Sequence, residues 1–260
     1  MHRFQQQHRN GPLGGCLNVY NILRALTVVF RKGWVSSLLV SVLLAASGEV
    51  ERARKLFNKA AYEESLKVLQ QANTKDPEVH SLAGRNYYML GEFRKASESF
   101  EKAVSLNPSS SVYEHWLGKA YGKRAETSSP FTAPGYASKT RKHFERAVEL
   151  DPKNIEAIND LLEYYLQAPG FLGGGVEKAE ALAERVAQLD VAEGYWARAH
   201  IAEQRKEFAK AETQLRRAVE AAPMQIGRVV DLAKFLARQG KYQESEKTFQ
   251  QAEKIDPNNP

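Results

Sequence analysis

The stretch that decides the fold is residues 77–108, which read PEVHSLAGRNYYMLGEFRKASESFEKAVSLNP. Apolar residues recur at helical spacing in two runs, one on each side of Gly91. Gly84 and Ala96 are small enough to let two helices cross closely, and Phe100 is large enough to fill the space beside them. Gly91 suits the turn between the helices, where a positive φ is often needed. The stretch therefore predicts a helix pair.

The ending of this stretch recurs twice more along the chain. Residues 100–108 read FEKAVSLNP, residues 144–152 read FERAVELDP, and residues 249–257 read FQQAEKIDP. Self-similarity of this kind predicts a stack of helix pairs, in which each pair buries its apolar stripe against its neighbours.

The pattern resembles the tetratricopeptide repeat family, from about residue 48 to the end of the chain. The resemblance implies an all-α, right-handed superhelical solenoid of about six helix-turn-helix repeats, and the chain is similar to exported bacterial members without an assigned function. The residues that carry the resemblance are packing residues with no catalytic role. The resemblance therefore implies a non-enzymatic domain that binds a protein or peptide.

Two repeats carry insertions between their first and second helices, near residues 126–138 and 168–175. Stacked repeats would place both insertions side by side on one edge, and insertions on one edge often mark a binding face. The second insertion is also compatible with a plain turn or, less readily because Glu177 follows it, with an anion site. The residues predicted for this looped edge are Phe131, Tyr136, Phe171, Leu172, Gly173, Gly174 and Gly175.

The first helices of such repeats line a concave surface, and this chain places aromatic and charged residues there. Exposed aromatic residues are enriched at binding hot spots, although a solvated face with half-covered rings is the alternative interpretation. The resemblance transfers no clamp for a C-terminal carboxylate, because the family's Lys and Asn set is not in register. The predicted groove residues are Arg85, Tyr88, Trp116, Lys119, Lys123, Asp160, Glu163, Trp196, His200, Lys234 and Arg238.

Positive charge is concentrated at the N-terminus. Residues 1–47 hold 5 of the 37 basic residues and none of the 31 acidic residues, which leaves 32 against 31 in residues 48–260. The repeats therefore lack the basic excess of a nucleic-acid-binding domain, and we expect no nucleic-acid partner. Cys16 is the only cysteine, and no histidine pair has zinc-ligand spacing, so we expect no metal and no cofactor.

The segment 1–47 resembles an export leader. Arg31 and Lys32 precede the apolar run VSSLLVSVLLAA at 35–46, which is followed by small residues. This order is typical of a cleaved signal peptide, with an uncleaved membrane anchor as the alternative. We therefore expect a periplasmic or secreted protein, or one anchored in the inner membrane that contacts the bilayer through this apolar helix alone.

These observations favour a scaffold of the cell envelope that holds a protein partner. A glycan-binding module would use Trp116 and Trp196 with the aromatic residues of the looped edge. A hydrolase or transferase would build its site from the two insertions, and an intracellular adaptor would result if the leader is not used. A homo-oligomer stays open because no extra capping helix follows the last repeat, although the polar residues of its second helix favour self-capping.

Overall fold

The computed structural model describes residues 48–257, and these residues form six successive helix pairs. The predicted all-helical stack is confirmed over this range, whereas the expected leader at 1–47 lies outside the described residues. The handedness of the superhelix stays a prediction. The first helices of the pairs are α1 (48–57), α3 (Pro77–Met89), α5 (Ser111–Thr127), α7 (Ile155–Gln167), α9 (Val191–Gln204) and α11 (Ile226–Arg238).

The second helices follow after short turns in most pairs. They are α2 (Tyr62–Leu69), α4 (Phe93–Leu106), α6 (Ala133–Leu150), α8 (Val176–Leu189), α10 (Phe208–Ala221) and α12 (Tyr242–Ile255). None of the helices between residues 48 and 257 is both long and apolar enough to cross a membrane.

Local chemistry fixes where the helices begin. In pairs two to five, the side chain of the residue before the first helix accepts a hydrogen bond from a backbone N–H of the first turn. These capping residues are Asp76, Ser110, Asn154 and Asp190, which are of the types that favour this position. A left-handed residue then turns the chain between the two helices, as the positive φ values of Ala60, Gly91, Lys206 and Gly240 show.

Close crossings inside the pairs require glycine. A Cβ added at Gly84 would lie 2.7 Å from Phe100 Cε1, and one added at Gly118 would lie 2.5 Å from Phe144 Cδ1. Both rings are buried. The prediction that Gly84 and Phe100 form a small-to-large contact is thus confirmed, and Gly118 with Phe144 repeats it in the third pair.

The third pair corrects the predicted loop at 126–138. Helix α5 has 17 residues and α6 has 18, against 13 and 14 in the second pair, so only residues 128–132 connect them. The inserted residues mostly lengthen the two helices. Pro134 lies in the first turn of α6, where proline is tolerated, and Tyr136 stacks on Tyr121 with ring centroids 6.0 Å apart.

The first helices form the inner layer of the stack. Within the described residues α3 contacts α5, α5 contacts α7, and α7 contacts α9, whereas the second helices of neighbouring pairs make no comparable contact. The stack is therefore tighter on the side of the first helices. Their outward residues line its inner surface, which is where the predicted groove should lie.

Candidate functional site

The inner surface begins with a group of residues that we call the Trp116 cluster: Arg85, Tyr88, Trp116 and Lys119. Tyr88 meets the Trp116 ring edge-on, with centroids 5.5 Å apart. The Arg85 guanidinium carbon and the Lys119 Nζ lie 5.1 and 5.0 Å from the centroid of that ring. Two cations thus approach one indole, and the ring quadrupole attracts each of them.

Arg85 lacks an ion-pair partner in the described part of the chain. Its Nε is buried without a hydrogen-bond acceptor, and no carboxylate within residues 48–257 forms an ion pair with it. Burial lowers the pKa of Arg85, although Glu78 opposes this effect at longer range. A buried guanidinium N–H without an acceptor is costly, so this position favours a ligand that brings an oxygen atom.

The next step of the inner surface is an ion-pair network between α5 and α7. Asp160 Oδ2 lies 2.6 Å from Nε2 of buried His115 and 3.6 Å from Lys119 Nζ. Burial raises the pKa of Asp160, but these two contacts outweigh it and hold the pKa below its ordinary value. Lys123 pairs with Glu126 on its own helix at 2.7 Å. The predicted groove residues Lys119, Lys123 and Asp160 are therefore charged but already paired within the chain.

Glu163 differs from its neighbours because it forms no hydrogen bond or ion pair with any described residue. Burial raises its pKa, and the negative charges of Asp160 and Asp231 raise it further. Glu163 is therefore the one predicted groove carboxylate in the described part of the chain whose charge is left without a counterion.

A cavity of about 400 Å³ joins this part of the groove to the second insertion. We call it the α5–α7 cavity. Its apolar wall includes Phe144, Tyr164 and Leu172, and its charged wall consists of Lys119, Lys123, Glu126, Asp160 and Glu163. The volume falls within the usual range for ligand pockets. Leu172 and the groove residues, predicted as two separate surfaces, thus meet in one place.

Trp196 corrects the prediction of an exposed aromatic anchor. Only 5% of Trp196 is exposed. His200 covers it with ring centroids 4.3 Å apart, and the Arg228 guanidinium lies 4.6 Å above the indole. Burial is the main cause that lowers the pKa of His200, to about 4. These two predicted groove residues therefore belong to the packing between α9 and α11.

Arg228 is held in place by Glu193, a buried acid that is only 4% exposed. Arg228 Nη2 lies 3.0 Å from Glu193 Oε2, and Asn159 and Gln225 also donate hydrogen bonds to that carboxylate. Sequence reasoning missed this network. The signal that could have found it is an acid in the first turn of α9, three residues after the cap Asp190.

Lys234 and Arg238 lie apart from the other groove residues. Arg238 pairs with Glu203 at 2.7 Å on the solvent-exposed surface. Lys234 is exposed and lines a separate cavity of about 960 Å³ between α11 and α12, at the C-terminal end of the stack. The predicted groove therefore does not run as one continuous surface through all six pairs.

Of the two residues predicted for the first part of the looped edge, one is exposed and the other is packed against a neighbouring side chain. Phe131 lies in the short connection at 128–132 and is 96% exposed. Tyr136 lies on α6, not in a loop, and the Arg124 guanidinium lies 4.2 Å above its ring. The prediction that both residues present free rings from one loop is therefore wrong for Tyr136.

The second insertion is a well-bonded loop. Gly170–Leu172 forms a single 3-10 turn, Tyr164 donates a hydrogen bond to the Leu172 carbonyl at 2.9 Å, and Lys178 donates one to the Gly173 carbonyl at 2.8 Å. Gly173 and Gly175 have positive φ, and a Cβ at Gly174 would clash with the Ala168 carbonyl. The glycines are thus explained by backbone geometry, while Phe171 points outward with 83% exposure.

Residues 48–257 contain no group of three or more His, Cys, Asp or Glu side chains arranged to hold a metal ion. The inner surface instead combines the Trp116 cluster, the matched ion pairs of α5 and α7, and the α5–α7 cavity. Chemically, this arrangement can accept a carbonyl or carboxylate oxygen at Arg85 and a cation at Glu163.

Comparison with known proteins agrees with this architecture. Models of the tetratricopeptide repeat match residues 77–110, 192–223 and 230–259. A comparison with curated protein sequences found no match.

Solved structures show the same fold at low sequence identity. A thermophilic tetratricopeptide repeat protein of Thermus thermophilus is 21% identical, with a TM-score of 0.61 over 74% of this chain and 99% of that chain. PilW, a widely conserved type IV pilus biogenesis factor, is 17% identical, with a TM-score of 0.58 over 83% of this chain and 95% of that chain. An assembly chaperone of RpL4 is 13% identical, with a TM-score of 0.54 over 83% and 92%.

Proposed function

Because this chain is a tetratricopeptide repeat protein, we propose that it is a non-enzymatic scaffold of the cell envelope that binds a protein partner along its inner surface. Repeats of this family point generally to protein–protein interaction. A preformed surface on packed helices loses little conformational entropy when it binds an extended peptide or a helix. The proposed binding surface consists of the Trp116 cluster and the adjoining α5–α7 cavity.

The observation that carries this proposal is the unsatisfied Arg85. Its Nε is buried without an acceptor beside Trp116, and arginine with a neighbouring aromatic ring is a common centre of interface energetics. A main-chain carbonyl or a carboxylate of a partner would complete the hydrogen bonding. Phe131 and Phe171, which are 96% and 83% exposed, offer the partner additional apolar contacts on the looped edge.

Placement in the envelope is part of the proposal and is supported by the leader pattern in 1–47. A basic pair followed by the apolar run at 35–46 is typical of an export signal. Cleavage would release a periplasmic or secreted protein, and retention would leave it anchored to the inner membrane. An intracellular adaptor would use the same inner surface if the leader were not used.

A glycan-binding module is less well supported. Trp196 is buried, and Trp116 has two cations near its ring and stacks on Phe100 with centroids 5.8 Å apart. Both indoles are thus engaged by neighbouring side chains, and Phe131 and Phe171 are the exposed aromatic rings. Retention of the purified chain on insoluble peptidoglycan, lost when both phenylalanines become serine, would favour this alternative.

The proposed function is tested by cross-linked capture of partners from the native envelope with the full chain as bait, followed by mass spectrometry. Arg85→Gln removes the charge of the unsatisfied guanidinium, and Lys153→Gln removes the charge of an exposed lysine near the end of pair three. We expect one enriched protein to lose recovery with Arg85→Gln alone. Equal recovery with both variants would argue against the inner surface, and the absence of any enriched protein would argue against the scaffold.

A further inference from the structure

The α5–α7 cavity contains one acidic side chain that forms no ion pair within the described part of the chain. Its lining includes two basic residues, Lys119 and Lys123, and three acidic residues, Glu126, Asp160 and Glu163. Lys123 lies 2.7 Å from Glu126, and Lys119 lies 3.6 Å from Asp160. Two of the acids are therefore paired, and the remaining negative charge belongs to Glu163.

Part of the cavity lining is apolar and held by well-packed side chains. Phe144 is 6% exposed and packs against Gly118. Tyr164 is held by its hydrogen bond to the Leu172 carbonyl, which also fixes the inserted turn that forms this wall. An apolar lining together with an unpaired carboxylate is complementary to a flexible apolar chain that ends in a cation.

We infer that the α5–α7 cavity binds a lysine or arginine side chain of the protein partner. The aliphatic stem packs on Phe144 and Leu172, and the ammonium or guanidinium group pairs with Glu163. This inference rests on the proposed function and specifies which residue type the partner presents. An acidic side chain fits less well, because it would have to displace Asp160 or Glu126 from the lysine that each already contacts.

The energetic state of Glu163 supports this assignment. Burial, followed by the charges of Asp160 and Asp231, raises its pKa, so its charged form is less favourable than that of a solvent-exposed glutamate. Lys119 and Arg228 oppose this effect without pairing directly with Glu163. A cation brought by the partner would relieve the repulsion among the three carboxylates, and this relief contributes to binding only for a basic ligand.

The inserted turn explains why this site lies at the third and fourth pairs. Ala168, Pro169 and Leu172 line the cavity, and all three belong to the segment that the other pairs lack. The lengthened parts of α5 and α6 supply Ala125 and Ala137 to the same cavity. The two insertions therefore build this wall together, which gives them a role beyond that of an exposed edge.

The test is an NMR titration of the ¹⁵N-labelled full chain with three fragments: the Nα-acetyl N-methylamides of lysine, norleucine and glutamate. Norleucine keeps an apolar stem but has no charge. We expect the lysine fragment to shift the amide signals of Gly122 and Leu172 and to bind more tightly than the other two. Equal binding of lysine and norleucine, or tighter binding of glutamate, would overturn the inference without any need for a variant.

A matched pair of variants locates the charge. Glu163→Gln should weaken binding of the lysine fragment about tenfold, since hydrogen bonds to charged groups are the stronger ones, while binding of norleucine stays unchanged. Glu220→Gln, at an exposed glutamate on α10, should change neither. Unchanged lysine binding in Glu163→Gln would contradict the assignment. Because no partner is used, this result is independent of the capture experiment that tests the scaffold.

Discussion

Arg228 of α11 reaches Glu193 of α9 across the boundary between the last two helix pairs. Its Nη2 lies 3.0 Å from Oε2 and its Nε lies 3.1 Å from Oε1, so the contact is bidentate. Both side chains are buried, with 13% and 5% exposure. The same guanidinium covers Trp196. One arginine thus neutralises a buried acid and removes from solvent an aromatic ring that the helical pattern places on the inner surface.

We predict that Arg228→Met lowers the free energy of unfolding by about 3–5 kcal/mol, because Glu193 would stay buried without its cation. Adding Glu193→Gln should recover much of this loss, since a neutral amide is less costly to bury. Urea unfolding of the single and double variants measures the effect. Arg146→Met, at an exposed pair with Glu149, is the control and should cost at most about 1 kcal/mol. No recovery in the double variant would contradict the argument.

We predict that His200 makes the protein less stable as the pH falls from about 6.5 to about 4. Burial lowers its pKa to about 4 from an ordinary value of 6.5, with Arg228 and Arg238 adding to this effect and Asp231 opposing it. Between these two pH values the unfolded chain binds a proton that the folded chain does not, so stability rises with pH. Below about pH 4 the contribution is constant.

The measurement for His200 is urea unfolding of the wild type and of His200→Gln at several pH values. The difference between the two proteins should change by up to about 3 kcal/mol across this range, because only the wild type carries the titrating imidazole. The histidine–carboxylate pairs of His115 and His143 are present in both proteins and cancel. A pH-independent difference would show that His200 titrates normally in the folded state.

We predict that Gly118→Ala destabilises the third pair. The new Cβ would lie 2.5 Å from Phe144 Cδ1, and overpacking of this kind typically costs about 1–3 kcal/mol. Gly135→Ala is the matched control, because no atom lies within 4 Å of its added Cβ, and the gain in helix propensity is up to about 1 kcal/mol. Thermal or urea unfolding should therefore show a lower free energy of unfolding for Gly118→Ala and a higher one for Gly135→Ala. A change in the same direction in both variants would contradict the packing argument.

We predict that Phe131→Ser and Phe171→Ser change the free energy of unfolding by no more than about 0.5 kcal/mol, because both rings are exposed. Phe100→Ala, at a fully buried ring, should instead cost about 3–5 kcal/mol. The melting temperature of each variant, compared with that of the wild type, measures these effects. Marked destabilisation by either serine substitution would mean that its ring packs on the repeats and is not available to a partner.

The sequence correctly predicted the helix pairs and the crossings that hold them together. Gly84, Phe100 and Gly91 each have a local role, and each takes that role in the structure. Prediction was less successful for the insertion at 126–138, because proline and serine suggest a loop. Proline is nevertheless compatible with the first turn of α6, and stacking of Tyr136 on Tyr121 stabilises the added helix.

For the candidate site, the helical periodicity of the sequence predicted that Trp116 and Trp196 lie on the same inner surface. It could not predict which of the two side chains is more exposed. Trp196 is covered by Arg228, which lies 32 positions further along the chain, whereas Trp116 stays partly accessible. Periodicity also could not show that Asp160 pairs with His115 and Lys119 while Glu163 has no ion-pair partner. These differences arise from side chains of neighbouring pairs, and a pattern within one helix contains no information about them.

The sequence by itself determined the helix pairs, their close crossings and the turns between them. Each of these depends on residues within a few positions of one another, through capping hydrogen bonds, positive φ and the size of a side chain at a crossing. Tertiary structure alone decided which inner residues stay accessible and which charges stay unbalanced. Burial and ion pairing depend on side chains that meet between pairs, so only the assembled stack leaves Glu163 unpaired in the α5–α7 cavity.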